Sequence, residues 1–493
     1  MKKNKTRNKK TKKKSINKMH IIIFLAVLIL LFDFLVFKLT ETGTFTVYNY
    51  ETNEKINSYH HFIFAKNLMN KQESDSICIL NENDKIVGLK YGIADLKTKD
   101  ETENTTYVTE NNEEGYLNGN YGVDAIYLQT SNSGKKVEIM ISGVKAWVSI
   151  DDVILHTIDE NVYVSYYTKV DQSIVHSLCY DVNEGGEYAI YIGFAPDFMQ
   201  DGITYYSYDG NYFYTDLKTM NKDMKEGTYS HAENKDAYYN FYQYVPHRSY
   251  ANTSSEIMNN YLYNTRGITD VASYYPCDAN QSVLFNLGDH FISTQNTYGI
   301  NATMMFALAV NESGFGQSEY AIQNHNIFGH AVYDENPDHA NSYTNLDDCL
   351  YQHAYYFLQN GYCNPEDERY HGSWFGNKAS GINVDYASDP YWGEKNASFY
   401  YQLDSMNGYA DYNSIQLKTF VAENEITAYG TSKGKNKLYT YSQGDIVSLI
   451  IKDDQDSDWY AVASEVPLEN KKVNLEATYT QDCVGYISKE DVD

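Results

Sequence analysis

The sequence predicts a multidomain α+β protein in which a mostly helical domain is flanked by small all-β modules and preceded by a membrane-spanning helix. Its 493 residues are too many for one domain at about 150 residues per domain. Short runs that alternate or are β-branched, separated by Asn, Gly and Asp turns, fill residues 43–158 and 420–493. Apolar residues at helical spacing take over within 230–410.

The amino terminus predicts a membrane anchor. Residues 1–20 form a basic tail with ten Lys and Arg and no acid, and the apolar stretch 21–39 is close to the ~20 residues that span a bilayer. This charge distribution places the amino terminus in the cytoplasm and the rest of the chain outside the cell membrane. A cleaved signal peptide is the alternative, but no small-x-small cleavage site follows. Asp33 lies near the outer end of the stretch, where it either reaches the membrane interface or contacts a membrane-protein partner.

Charge and cysteine usage exclude several classes of partner. Without the ten cations of residues 1–20, the net charge of the chain goes from −27 to −37. So acidic a chain is not attracted to nucleic acid or anionic lipid. The sequence contains no CxxC pair and no HExxH pattern, so it predicts neither a metal nor a cofactor. Cys349 and Cys363 are close enough in sequence to form a disulfide, or are simply buried thiols.

The stretch 301–316 carries the strongest chemical signal. Residues 302–310 are apolar on nearly every side, which is typical of a buried helix, and Asn301 is placed to cap it. Glu312 follows at the carboxyl end, beside Phe315 and two glycines. A carboxyl at the edge of an apolar helix is partly desolvated, which raises its pKa and lets it carry a proton near neutral pH. Glu312 is therefore a candidate general acid; the alternative is a carboxylate that caps the helix or pairs with an Arg.

Two ordered motifs carry a family resemblance. The segment ALAVNESGFGQSEYAIQNHNIFGHAVYD resembles the signature of the glucosaminidase family of bacterial peptidoglycan hydrolases, glycoside hydrolase family 73. The later segment YHGSWFGNKASGINVDYASDPYWGEKNASFYY resembles the same family's Tyr-Ala-Ser/Thr-Asp-Pro landmark. The resemblance covers about residues 266–408. It implies a lysozyme-like catalytic domain over 230–410, with a groove between a helical lobe and a small β element, and a catalytic role for Glu312.

The resemblance leaves the second catalytic group open. A carboxylate would come from AVYDENPDHANS, where Asp334 and Glu335 are candidate catalytic residues and Asp338 is assigned either to catalysis or to substrate binding. The alternative is assistance by the substrate's own 2-acetamido group, with Tyr386 orienting that group or the attacking water. The residues expected to bind the substrate are Asn326, Phe328, Asp338, Tyr391 and Trp392.

The flanking regions resemble wall-binding modules. GVKAWVSIDDV closes the region 43–158, and KLYTYSQGDIVSLI, SDWYAVASE and DCVGYISKEDV lie within 420–493; these segments resemble bacterial SH3-like modules. Residues 159–229 are dense in Tyr and predict a further β unit. Exposed tyrosine rings there would suit either packing or sugar binding.

Together these features predict a membrane-anchored, extracytoplasmic autolysin. By resemblance it is an endo-β-N-acetylglucosaminidase that hydrolyses the GlcNAc-β-1,4-MurNAc bond in peptidoglycan glycan strands without a cofactor. Three alternatives stay open: a lytic transglycosylase-type or a muramidase activity on the same fold, and a wall-binding scaffold that has lost activity.

Overall fold

The computed structural model describes residues 42–158, 162–330 and 341–493. The strands in chain order are β1 Thr42–Asn49, β2 Glu54–His61, β3 Ile77–Leu80, β4 Ile86–Leu89, β5 Gly92–Asp95, β6 Thr105–Thr109, β7 Glu114–Leu117, β8 Asp124–Thr130, β9 Lys136–Ile141, β10 Val144–Ser149, β11 Ile154–Thr157, β12 Tyr166–Val170, β13 Ser173–Cys179, β14 Glu187–Phe194, β15 Asp270–Val271, β16 Gln281–Ser282, β17 Gln416–Val421, β18 Ile426–Thr431, β19 Lys435–Tyr441, β20 Ile446–Asp453, β21 Trp459–Ala463, β22 Leu468–Glu469, β23 Lys472–Val473 and β24 Val484–Ser488.

Helices are concentrated between residues 217 and 414. The α-helices are α1 Phe62–Lys71, α2 Leu217–Glu226, α3 Phe241–Tyr244, α4 Ser255–Arg266, α5 Gly288–Tyr298, α6 Ala302–Glu312, α7 Glu319–Gln323, α8 Leu346–Gln352, α9 Asn383–Tyr386, α10 Trp392–Met406 and α11 Ala410–Ser414. A π-helix, His353–Tyr362, continues α8, and short 3₁₀ turns lie at Ile150–Asp152 and Lys489–Asp491.

The described residues divide into two compact units. The first contains residues 42–90 together with Thr130–Lys135. In it, an antiparallel sheet of order β2-β1-β3-β4 packs against α1. Phe45 and Phe62 meet edge to face at 5.5 Å in its core, which gives this small sheet a buried aromatic centre.

The second unit contains the rest of the described chain. A seven-stranded sheet of order β11-β5-β8-β9-β10-β6-β7 precedes a three-stranded sheet, β12-β13-β14. The residues of β13 are all buried, as is typical of a central strand, while β14 is an outer strand that packs on α10. A six-stranded sheet of order β17-β20-β21-β24-β18-β19 follows the helices.

Helix α6 lies at the centre of the helical region. All residues from Ala302 to Val310 are buried, all but Thr303 belong to one large hydrophobic cluster, and α6 packs against α5 and α10. The side chain of Asn301 caps the helix by accepting a hydrogen bond from the Met304 amide at 2.8 Å, as the sequence predicts. This burial fixes the carboxyl end of α6, where Glu312 lies.

A buried cation links the carboxy-terminal region to the helical region. Arg248 is 1% exposed and donates to the carbonyls of Glu465 and Tyr298, each at 2.9 Å. Its guanidinium also lies 4.2 Å from the ring centre of Tyr479. Since a buried guanidinium is stable only with such partners, these contacts hold the carboxy-terminal region in a defined position on the helices.

The predicted fold class is wrong in two respects. It confined β structure to small modules beside a helical domain, whereas the described residues form six sheets, the largest with seven strands. Strands as distant in sequence as β5 and β11 pair in that sheet, and local patterns do not reveal such pairing. It also included a membrane-spanning helix, yet no helix in the described ranges is both long and apolar enough to cross a bilayer. The predicted anchor at 21–39 lies outside those ranges.

Candidate active site

The carboxyl end of α6 presents Glu312 at the edge of the hydrophobic core. After nine buried residues, Asn311 and Glu312 are only half-buried. The backbone then turns sharply, because Gly314, Phe315 and Gly316 all have positive φ angles, of 54°, 61° and 74°. Two of these three positions are glycines, which adopt such angles without the steric penalty of a Cβ atom.

Two side chains hydrogen-bond the Glu312 carboxylate. The indole Nε1 of Trp392, the first residue of α10, donates to Oε1 at 2.5 Å, and Nδ2 of Asn311 donates to the same oxygen at 3.4 Å. Burial raises the pKa of Glu312 to about 7; the nearby Asp389 carboxylate also raises it, while the Trp392 and Asn311 hydrogen bonds lower it. Glu312 therefore holds its proton close to neutral pH, as expected of a general acid.

The second oxygen of Glu312 faces a glycine. Gly329 has a φ of 65°, and a Cβ atom there would lie 2.7 Å from Oε2. Asn326 shapes this turn, because its amide donates to the His330 carbonyl at 2.9 Å and accepts from the His330 amide at 3.1 Å. Phe328 is fully buried, with its ring stacked on His353 at 3.7 Å. The Asn-x-Phe-Gly motif thus brings backbone against the carboxylate.

Tyr386 lies beside this carboxylate and contacts both flanking elements. Its hydroxyl donates to the Phe328 carbonyl at 2.5 Å, and its ring packs on Trp392 at 4.9 Å. Burial, with the Glu312 carboxylate nearby, holds the pKa of the Tyr386 phenol well above its usual range. Tyr386 is therefore a neutral phenol at physiological pH.

A buried ammonium holds the short helix α9, which carries Tyr386. Lys378 is 1% exposed, and its Nζ donates to the carbonyls of Asn383, Val384 and Ala387 at 2.9–3.0 Å. Burial lowers the pKa of Lys378 to about 8. Because three carbonyls share one donor group, the backbone on both sides of Tyr386 is fixed.

Asp389 has a different role from the helix cap that Asp-Pro patterns favour. It accepts from the Tyr391 amide at 2.9 Å and forms an ion pair with Lys395, while α10 begins only at Trp392. Tyr391, expected at the sugar site, is 4% exposed and packs edge to face on His176 at 5.0 Å. Its ring is therefore part of the packing between β13 and α10.

The structure brings together four of the predicted site residues and leaves three outside the described ranges. Glu312, Tyr386, Trp392 and Phe328 form one connected cluster. Asp334, Glu335 and Asp338 fall within residues 331–340, which the structure does not describe. The roles of all these residues stay predictions. Sequence reasoning missed four contributors to the cluster, whose contacts no sequence pattern indicates: Asn311, Gly329, Lys378 and Asp389.

Other polar groups near the site pair with one another. His330 lies between Tyr343, whose hydroxyl is 2.6 Å from Nδ1, and His353, whose Nδ1 is 3.0 Å from its Nε2. Burial lowers the pKa of His330 to about 3, so the His330 side chain in this hydrogen-bonded group is uncharged. All six cysteines are free thiols. Within the described ranges, no three His, Cys, Asp or Glu side chains are grouped so that they could hold a metal ion.

Sequence comparison assigns part of the chain to a known family. Residues 288–405 match the sequence model of the Glucosaminidase family, described as mannosyl-glycoprotein endo-beta-N-acetylglucosaminidase. Proteins from two strains of Streptococcus pneumoniae, named as endo-beta-N-acetylglucosaminidases, are each 27% identical to this chain over 283 residues. The alignments cover 56% of this chain but only 35% and 33% of the two proteins, so the chain spans about a third of the length of these curated relatives.

Crystal structures of S. aureus autolysin E align with part of the chain. One is a catalytic mutant in complex with the disaccharide NAG-NAM; the alignment covers 34% of this chain and 73% of that one, at 19% identity and a TM-score of 0.24. A second, with a muropeptide bound, gives the same values. The resemblance of the flanking regions to SH3-like modules stays a prediction.

Proposed function

Because residues 288–405 form a glucosaminidase domain, a glycoside hydrolase domain, we propose that this chain is an endo-β-N-acetylglucosaminidase of the bacterial cell wall. Its substrate is the peptidoglycan glycan strand, cut at the GlcNAc-β-1,4-MurNAc bond, and the enzyme acts outside the cytoplasm, where that polymer lies. One observation carries the proposal: a half-buried carboxyl, Glu312, with its pKa raised to about 7 at the end of the buried helix α6.

Glu312 is the general acid in this proposal. Its proton moves to the glycosidic oxygen as the bond from that oxygen to the anomeric carbon breaks, and the anomeric centre becomes oxocarbenium-like. Water then adds to the anomeric carbon and returns a proton to the site, so the products are two shorter chains. The Trp392 and Asn311 hydrogen bonds hold the carboxyl in place, so little reorganisation is needed when the proton leaves.

Tyr386 orients the 2-acetamido group in the same proposal. Its hydroxyl proton is already donated to the Phe328 carbonyl, but the phenol oxygen retains its acceptor lone pairs. That oxygen can accept a hydrogen bond from the acetamido N–H and turn the acetamido oxygen toward the anomeric carbon, as substrate assistance requires. Because Lys378 fixes the backbone around Tyr386, this acceptor is held in one position.

The first prediction concerns the acid itself. Glu312→Gln preserves the shape of the side chain and can still accept from Trp392, but it has no proton to donate. We expect the rate of clearing of purified peptidoglycan to fall by about 10²–10⁴-fold, with sedimentation binding to the wall unchanged. Wild-type clearing by the variant would remove Glu312 from the mechanism.

The pH dependence provides a second prediction. The acid form of Glu312 is the active one and its pKa is raised, so kcat/KM should be retained below pH 7 and fall above about pH 7. Trp392→Phe removes a hydrogen bond that lowers the pKa and should move this alkaline limb to higher pH. Asp389→Asn removes a charge that raises the pKa and should move the limb to lower pH. Shifts in the same direction for both variants would contradict the assignment.

A third prediction tests how closely the backbone approaches the carboxylate. Gly329→Ala would place a methyl group 2.7 Å from Oε2 of Glu312, so we expect the carboxylate to be displaced and peptidoglycan clearing to fall at least tenfold. Gly267→Ala is the matched control, because its φ of 68° imposes the same backbone strain while a Cβ atom there meets nothing within 4 Å. Equal activities for the two variants would show that backbone strain alone explains the loss.

A further inference from the structure

One face of α10 is partly exposed to solvent, beginning near the candidate acid Glu312. From Trp392 to Asp404 every residue is buried except Lys395, Phe399 and Gln402. These three follow one another at intervals of four and three residues, so they lie on the same face of the helix. Trp392, whose indole hydrogen-bonds Glu312, lies at the start of this row of residues. Gln402 lies at its far end, about 15 Å along the helix axis from Trp392 at a rise of 1.5 Å per residue. The open face of α10 therefore leads away from Glu312.

Strand β14 forms the opposite wall of a pocket over this face. The pocket has a volume of about 110 Å³ and is lined by Tyr188–Tyr191 of β14, by Asn311, and by Lys395, Ser398, Phe399 and Gln402 of α10. Asn311 also hydrogen-bonds Glu312, so the pocket begins at the residue next to the acid. Asn311 therefore lies between the pocket and the acid.

Two exposed tyrosines of β14 are among the residues that line this pocket. Tyr188 and Tyr191 are 43% and 44% exposed, while Ile190 and Ile192 of the same strand are buried and anchor it on the protein. Among the described residues, neither phenol has a hydrogen-bond partner. Single exposed aromatics are ordinary on protein surfaces, but two that line one pocket beside a carboxyl acid form a surface suited to a ligand.

We propose that this pocket is a saccharide subsite that binds an N-acetylated hexosamine of the glycan strand, next to the sugar that Glu312 protonates. The inference rests on the proposed function and adds a binding element from outside residues 288–405, the matched family segment. The rings of Tyr188 and Tyr191 pack on the apolar face of a pyranose. Asn311 donates one amide hydrogen to Glu312, and Gln402 bonds Tyr261 and Ser398, so each amide keeps a second hydrogen and a further lone pair for the hydroxyl and acetamido groups.

The chemistry of the pocket favours a sugar over the peptide stems of the same polymer. Its polar groups are mostly neutral amides and phenols, and its one cation, Lys395, is already paired with Asp389. An acidic peptide would need a free positive charge to offset its desolvation. Neutral sugar rings need only flat apolar faces and neutral hydrogen-bond partners, which this pocket provides.

The test measures sugar binding without turnover. In the full chain carrying Glu312→Gln, chitohexaose, a peptide-free oligomer of N-acetylglucosamine, is titrated by calorimetry. Adding Tyr188→Ala and Tyr191→Ala should weaken binding about 5–20-fold, since each ring contributes one stacking contact. The matched Phe variants should retain most of the affinity. Tyr180→Ala is the control, because this tyrosine is 52% exposed and lies outside the pocket.

The same variants in the active enzyme separate binding from chemistry. The double Ala variant should raise KM for purified peptidoglycan by a similar factor, leave kcat within about twofold and leave the alkaline limb of the pH profile in place. Unchanged chitohexaose affinity in the Ala variants would overturn the proposal. A loss of affinity seen only with peptide-bearing muropeptides, and not with chitohexaose, would also overturn it. A wild-type chain that binds chitohexaose through these tyrosines but does not cut peptidoglycan would overturn the proposed function and leave the subsite standing.

Discussion

The hydrogen bond from Trp392 to Glu312 joins the two helices on which the candidate site depends. Helix α6 ends in the carboxyl and helix α10 begins with the indole, and the bond between them is 2.5 Å long. The indole is held in turn by the ring of Tyr386 at 4.9 Å and by the edge of Phe375 at 5.9 Å. A shift of either helix would therefore change the proton affinity of Glu312 as well as its position.

The sheets hold the segment before α10 in place. From the seven-stranded sheet, the Tyr116 hydroxyl donates to the Asp385 carbonyl at 3.0 Å, and the loop amide of Asn118 donates to the Ser388 carbonyl at 2.9 Å. Ser142 donates to the Pro390 carbonyl at 2.5 Å. With Lys378, these contacts fix the backbone that carries Tyr386. The β regions, which the sequence analysis treated as separate modules, thus share in building the site.

Sequence reasoning succeeded where the determining contacts are local. The apolar run of α6 and its Asn301 cap depend on residues within one helix, so both could be predicted. Ser254 caps α4 although Thr253 beside it is an equally suitable residue, and Asp389 pairs with Lys395; the sequence pattern alone does not determine either choice. Gly329 and Lys378 act on residues that pattern reading cannot connect to them, because those contacts exist only once the chain has folded.

The central claim is that the chain hydrolyses glycan strands after N-acetylglucosamine. Mass analysis of the muropeptides released from purified peptidoglycan by the full chain tests it most directly, because the new chain end records which bond broke and how. We predict fragments that carry reducing N-acetylglucosamine ends. Reducing N-acetylmuramic acid ends would contradict the choice of bond, anhydro-muramic ends would contradict hydrolysis, and no released fragments would contradict enzymatic activity.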